Sequence, residues 1–211
     1  LNVDWKELRS AAEKRLEAKE AILSMRGDDP RPILILRDCD GCANKEGDLL
    51  KFSLQDERVI IGTAWFNCIR LGHEVMEPNH PLSALFTGSI PPHVLVATWD
   101  AKRIIPIPRC TRKDLWRNMS VVLKKDYRKN PDKAVRGLLE ILSSFDAIDD
   151  REEALRVQLE TKERRGKKSR AEKLKKQLAE LEEDRQELIE KEKKLRDLQF
   201  RKPPEKREKE V

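Results

Sequence analysis

"PILILRDCDGC", residues 32–42, is the stretch on which the fold turns. Four aliphatic residues in a row suit a strand buried on both faces, because a half-exposed strand would alternate polar and apolar positions. Two cysteines, Cys39 and Cys42, follow at once. A CxxC spacing can be a redox couple, half of a metal site or a coincidence, and the surrounding chain has to choose.

Upstream, residues 4–26 predict an amphipathic helix, with Trp5, Leu8, Ala12, Leu16, Ile22 and Leu23 recurring at roughly helical spacing. "GDDPRP" ends it, since Gly27 and two prolines do not continue a helix. Downstream, "NKEGDLLKFSL" (44–54) predicts a short helix. "RVIIGTAWFNCIRL" (58–71), rich in β-branched and aromatic residues, predicts a second strand, bulged at Gly62. Strand, helix and strand in that order imply a parallel pair with a crossover helix.

A loop through "EPNHPLSALF" (77–86), with one helical turn, leads to "HVLVAT" (93–98) and "KRIIPI" (102–107), joined by "WDA". These predict a hairpin whose second strand lies at an edge, because Pro106 and Pro108 have no N–H for a ladder. Thr111 caps a helix over "RKDLWRNMSVVLKKDY", with Leu115, Met119 and Val122 on one face. The body is therefore βαβ followed by ββα.

The chain then changes character. Charged residues make up 40% of the 211 and crowd beyond about residue 150, while 38% apolar residues supply one real core. Asn130 and Pro131 start a helix with Val135, Leu138, Leu139 and Leu142 as its buried stripe. Asp149 starts another, "RRGKKS" interrupts it, and Ser169 with Glu172 predicts a capping box for a last helix. There Leu174, Leu181, Leu188 and Leu195 fall every seven residues, with Ala171 and Leu178 in the companion row and Arg185 and Glu192 further along it. "RRGKK" reads as the turn of a hairpin, although the same seam serves a dimeric coiled coil equally well. The tail "KPPEKREKEV" is too charged to pack and reads as disordered. The divisions are an N-terminal helix (1–28), an α/β domain (29–128), a helical extension (129–166), and a charged helix with its tail (167–211).

The net charge of +6 permits contact with nucleic acid. Interleaved acids and bases, with no basic stripe bearing aromatics, argue against it. No apolar run is long enough to span a bilayer, and no signal peptide is recognisable. The first residue is Leu1 rather than Met, as in a processed product, so an extracytoplasmic setting is slightly favoured over a cytoplasmic one. Four cysteines are too few to decide the compartment.

A CxxC between a buried strand and a helix, opening a βαβ unit that precedes a ββα unit, resembles the thioredoxin-like superfamily over roughly residues 30–127. "SIPPHVLVATWD" adds to the resemblance, since Pro92 stands before the third strand where that family carries a cis proline facing its cysteines. The resemblance implies an α/β fold with a thioredoxin-like βαβ-ββα core, here flanked by an N-terminal helix and a C-terminal helical hairpin or coiled coil. It also implies thiol-disulfide exchange, with no cofactor and a protein disulfide or dithiol as substrate. Cys39 is then the nucleophile, because a helix N-terminus favours the thiolate, and Cys42 the resolving thiol. Pro91, Pro92 and His93 are the candidate substrate-binding residues.

The departures matter too. Asp38 and Asp40 flank Cys39 and oppose a further negative charge, so they are expected to raise its pKa. "PILIL" lacks the buried acid that many members carry in this strand. A structural zinc site would need two more ligands from Cys68, Cys110, His73, His80 or His93, none of which forms a second CxxC or a close His pair, so no metal is expected. Cys68 and Cys110 read as small core or near-surface hydrophobes, and Trp5, Trp65, Trp99 and Trp116 as packing residues. The rival function is a redox-silent thioredoxin-like scaffold that binds a protein partner or dimerises through residues 150–200.

Overall fold

The computed structural model describes residues 3–7, 14–38, 56–107 and 111–201. The predicted helix over 44–54, Cys39, Cys42, Cys110 and the tail from 202 lie outside them. The described chain is mixed α/β: a five-stranded sheet and five α-helices. It divides into two compact units, one of residues 1–132 with 198–211 and the other of 133–197. The N-terminal helix thus belongs to the sheet unit, and the two long helices share the second.

In the first unit, β1 (Lys6–Glu7), β2 (Ile33–Arg37), β3 (Asn67–Leu71), β4 (Val94–Ala97) and β5 (Ile104–Ile107) stand in the spatial order β1-β3-β2-β4-β5. β3 runs parallel to both β1 and β2, β4 is antiparallel to β2, and β5 is antiparallel to β4. β2 is the middle strand, and all five of its residues are buried, as an uninterrupted aliphatic run requires. β5 is at an edge, and Pro106 stands opposite Leu95 in its ladder.

Ile33, Ile35, Ile69, Leu71, Leu95 and Ala97 form a core with Ala21, Ile22 and Met25 of α1 (Ala18–Arg26) and with Leu82, Leu85 and Phe86. The last three lie in the loop 77–86, whose one turn is a 3-10 segment, Ser83–Phe86, and a second 3-10 segment, His73–Met76, precedes the loop. The opposite face receives α2 (Glu57–Thr63) and α3 (Arg112–Asp126), which pack on each other, α3 also meeting β4 and β5. Thr111 caps α3, its hydroxyl accepting from the Asp114 N–H at 3.1 Å.

The N-terminal helix is shorter than its periodicity predicts. Lys6 and Glu7 are extended beside Ile69 and Arg70, and the helix begins only at Ala18. The Leu16 N–H donates to the Pro81 carbonyl at 2.9 Å, so tertiary bonding takes residues that helical spacing would have claimed. Gly27 ends α1 with a φ of 58°, open to glycine at little strain.

The predicted strand over 58–71 is also corrected: its first half is α2, and only Asn67–Leu71 is extended. Asp56 caps α2, accepting from the Arg58 N–H at 3.0 Å, and Val59, Gly62 and Thr63 then fall on one buried helical face. Gly62 is not a bulge but a point of close helix approach. A Cβ there would come within 2.7 Å of Cζ3 of Trp116, so only glycine lets α2 and α3 meet at this distance. Trp65, predicted in the strand, sits buried in the turn after α2, where its carbonyl accepts from the Tyr127 hydroxyl at 2.9 Å.

In the second unit, α4 (Pro131–Arg164) runs without a break through Asp149, where a new helix is predicted. Its start is as expected, the Asn130 side chain accepting from the Asp132 N–H at 2.9 Å. Ala134, Val135, Leu138 and Ile141 form its buried stripe, while Leu139 and Leu142 are half-buried. The chain turns at Gly166, whose φ of 66° reverses its direction, and continues as α5 (Lys168–Arg196). The predicted capping box is absent: Lys167 is the cap residue and Ser169 lies inside the first turn. Ile148 and Leu155 of α4 pack with Leu174 and Leu181 of α5, flanked by Leu159, Leu178 and Leu188. The heptad leucines thus close a hairpin within the chain.

After α5 the chain rejoins the sheet unit. Arg128 and Lys129 N–H donate to the Gln199 and Leu198 carbonyls at 2.7 and 3.0 Å, and the Arg201 N–H donates to the Asp126 carbonyl at 2.9 Å. Leu198 is buried and Phe200 stacks on Tyr127 with ring centres 4.5 Å apart.

Candidate functional site

Because β4 is antiparallel to β2, the start of β4 lies beside the end of β2. Leu36 stands opposite Val94, and one step on the Arg37 N–H donates to the His93 carbonyl at 2.8 Å. On the other side the Asp38 N–H donates to the Leu71 carbonyl at 2.8 Å. Asp38, the last described residue before the CxxC, is thus bonded into β3, while Pro92 and His93 flank the same sheet end through β4. Pro92 is buried; Pro91 and His93 are half-buried.

The residue that organises this end is Arg37, which no sequence motif marks. It is only 6% exposed. Its Nε donates to the Pro92 carbonyl at 3.3 Å and Nη1 to the Asp38 carbonyl at 3.2 Å. Nη2 lies 3.1 Å from Nδ1 and 3.3 Å from Nε2 of His93. The guanidinium carbon is 5.8 Å from the centre of the Phe86 ring, within cation–π range. A buried charge needs this much satisfaction, and a guanidinium has five N–H donors with which to obtain it.

Asp38 pairs with Arg70 of β3, whose Nε lies 2.9 Å from Oδ1. The Asp38 carboxylate is thus an ion-pair partner of Arg70, and its backbone carbonyl accepts from Arg37. Neither interaction is visible in sequence, because Arg70 is brought there only by strand register. The cis proline expected at 92 is also corrected, since every peptide bond among the described residues is trans.

The remaining candidate groups are scattered. Cys68 is buried in β3, its Sγ 3.6 Å from the Thr63 carbonyl, and burial pushes its thiol up to about 12. A thiol so held stays protonated and inert, as a core cysteine should. His80 is committed to a turn, its Nδ1 accepting from the Leu82 N–H at 3.1 Å, and His73 begins a 3-10 segment. Among the described residues no three His, Cys, Asp or Glu side chains gather as a metal site.

Two carboxylates elsewhere in the unit depart from ordinary behaviour in opposite directions. Burial raises Asp126 to about 7, against the pull of the Trp99 N–H it accepts at 2.9 Å and with help from Asp100. Burial would also raise Asp29, but the fork of Arg31, at 2.7 and 3.0 Å, and Lys6 bring it down to about 2. Arg26 completes the surroundings of Trp99, donating to its carbonyl at 2.7 Å and lying over its ring.

No protein-family model, characterised protein or solved structure matches the chain significantly. Among the described residues no helix is long and apolar enough to cross a membrane.

Proposed function

We propose that the chain is a thiol-disulfide oxidoreductase built on a thioredoxin-like sheet, with Cys39 and Cys42 as its redox pair. The observation that carries this reading is the meeting of the β2 end with the β4 start, marked by the 2.8 Å bond between the Arg37 N–H and the His93 carbonyl. Cys39 follows β2 two residues later in the chain, so Pro92 and His93 flank the strand end that leads into the pair. The strand order β1-β3-β2-β4-β5, parallel through three strands and antiparallel through the last two, agrees with the βαβ-ββα resemblance.

In the reaction the Cys39 thiolate attacks one sulfur of a substrate disulfide, and the other sulfur leaves as a thiolate that takes up a proton. Cys42, having lost its proton, attacks the mixed disulfide and releases the reduced substrate. The pair is oxidised by two electrons, and the substrate is reduced by the same two. Run backwards, the pair oxidises a substrate dithiol. Pro91, Pro92 and His93 are the proposed substrate contacts.

The test is a disulfide-reduction assay on the full chain and on Cys39→Ser. Loss of nearly all turnover in the variant is the expected outcome; equal rates would remove the catalytic claim. The second reading, a redox-silent scaffold with the α4–α5 hairpin as its binding surface, draws on the length of those helices, 34 and 29 residues. It predicts no turnover in either protein and a partner or second copy bound through residues 150–200.

A further inference from the structure

The net charge of +6 is not spread along the chain. Between positions 160 and 176, around the turn at Gly166, stand nine lysines and arginines against three glutamates, a surplus equal to that of the whole protein, and the rest of the chain balances. The glutamates are taken up locally: Arg164 meets Glu160 at 2.7 Å, and Lys175 meets Glu163 at 3.1 Å and Glu172 at 3.6 Å. Lys176 turns to Glu180. Lys162, Arg165, Lys167, Lys168, Arg170 and Lys173 are left without an ion pair among the described residues, and all but the half-buried Lys162 are exposed. Like charges three apart on a helix, as Arg170 and Lys173 are, repel, so the gathering costs the fold rather than holding it. The reversal itself needs none of it, since Gly166 makes the turn and Ala171 and Leu174 supply the buried contacts of the first turns of α5.

We propose that the α4–α5 turn docks on an anionic lipid surface, its six unanswered cations meeting the headgroups without insertion of the chain. Shape and composition choose this polyanion over others. Two packed helices are roughly 20 Å across, from axes about 8–10 Å apart and a helix diameter of about 10–12 Å, which is too wide for a DNA major groove of about 12 Å. No aromatic residue stands between Phe145 and Phe200, so nothing at the turn stacks on single-stranded bases. A bilayer accepts a blunt end and asks for charge alone, and clusters of four to eight Lys or Arg bind acidic lipids, with roughly fivefold in affinity for each. The apolar residues of this stretch, Ala171 and Leu174, are buried in the hairpin, which leaves none to enter the hydrocarbon.

The experiment is co-sedimentation of the full chain with phosphatidylcholine vesicles, with and without roughly 30% phosphatidylserine, at about 0.15 M salt. Binding is expected only where the serine lipid is present, and it should fall as salt rises. Lys167→Gln together with Lys168→Gln and Arg170→Gln is expected to lose about a hundredfold in partitioning, three charges at roughly fivefold each. Lys102→Gln together with Lys113→Gln and Lys125→Gln removes the same charge from the sheet unit and should change partitioning by less than about threefold. All six positions are exposed, and circular dichroism checks that each variant keeps the parent's helix content.

No binding to the serine-lipid vesicles, or equal binding by the parent and the turn variant, overturns the proposal. Equal weakening by the two triple variants does so as well, because overall charge rather than the turn would then carry the contact. A further arm offers a short DNA duplex and its single strand at the same salt. If either is held more tightly than the vesicles and released by the turn variant, the cations serve nucleic acid and the lipid assignment fails.

Discussion

In the sheet unit, apolar side chains from four of the five strands, three helices and two 3-10 segments close on both faces of one sheet, and Ile33, Ile35, Ile69 and Leu115 reach zero exposure. In the α4–α5 unit, two helices share a single seam, and Ile148, Leu155, Leu174 and Leu181 keep 6–9% of their surface. Its outer faces carry ion pairs one turn apart, such as Arg164 with Glu160 and Arg196 with Glu192. A sheet covered by helices on both faces excludes water from all sides, whereas a two-helix seam has only one side to close, so a lost methylene matters less there.

The largest effect tests that contrast directly. Ile35→Ala is expected to cost about 3–4 kcal/mol in denaturant unfolding, and Leu181→Ala about half as much. Equal costs would show that the seam is as well closed as the sheet core.

Next comes a pH effect confined to the sheet unit. Asp126 holds its proton to about pH 7 when folded and to about 4 when unfolded, so the native state binds more protons between those values. Stability attributable to this group is full below pH ~4, falls as pH rises, and is lost above ~7. Asp126→Asn keeps an oxygen for the Trp99 N–H and removes the buried charge. It should raise stability by about 1–2 kcal/mol at pH 8 and leave it nearly unchanged at pH 4, in parallel melts. Asp29 has the opposite slope, its contribution present above about pH 4 and lost as pH falls to 2. A variant curve parallel to the parent's across pH 4–8 would mean that Asp126 ionises freely in the fold.

The smallest effect is expected at Arg185, where the heptad pattern weakens. It reaches from α5 to Asp149 and Glu152 of α4, bridging the helices with charge in place of leucine. Arg185→Ala should lower the melting temperature less than either change above, and the difference should fade in high salt. A loss that persists in salt would point to packing by its methylenes rather than to charge.

Local signals were legible wherever one physical cause dominated. The apolar run 33–36, the hairpin around "WDA", the Thr111 cap, the Asn130–Pro131 start and the reversal at Gly166 all stand as the chain spells them. Misreadings arose where two causes compete. "RVIIGTAW" has strand composition, yet the Asp56 cap and the fit of Gly62 against Trp116 make it a helix. Ser169 and Glu172 have the spacing of a capping box, but the Gly166 turn lets α5 begin one residue before the serine. At the described sheet end only part was legible: "PPH" stands out, whereas Arg37 carries no motif.

By itself the sequence determined which segments must be buried and where helices start and stop, because periodicity, caps and prolines act within a few residues of themselves. Only the tertiary structure decided that Arg37 is sealed against His93 and Pro92, that Arg70 answers Asp38, and that residues 198–201 return to 126–129. Those contacts join residues 32 to 75 positions apart, and a long-range partner is set by strand register and chain return, which no local pattern encodes.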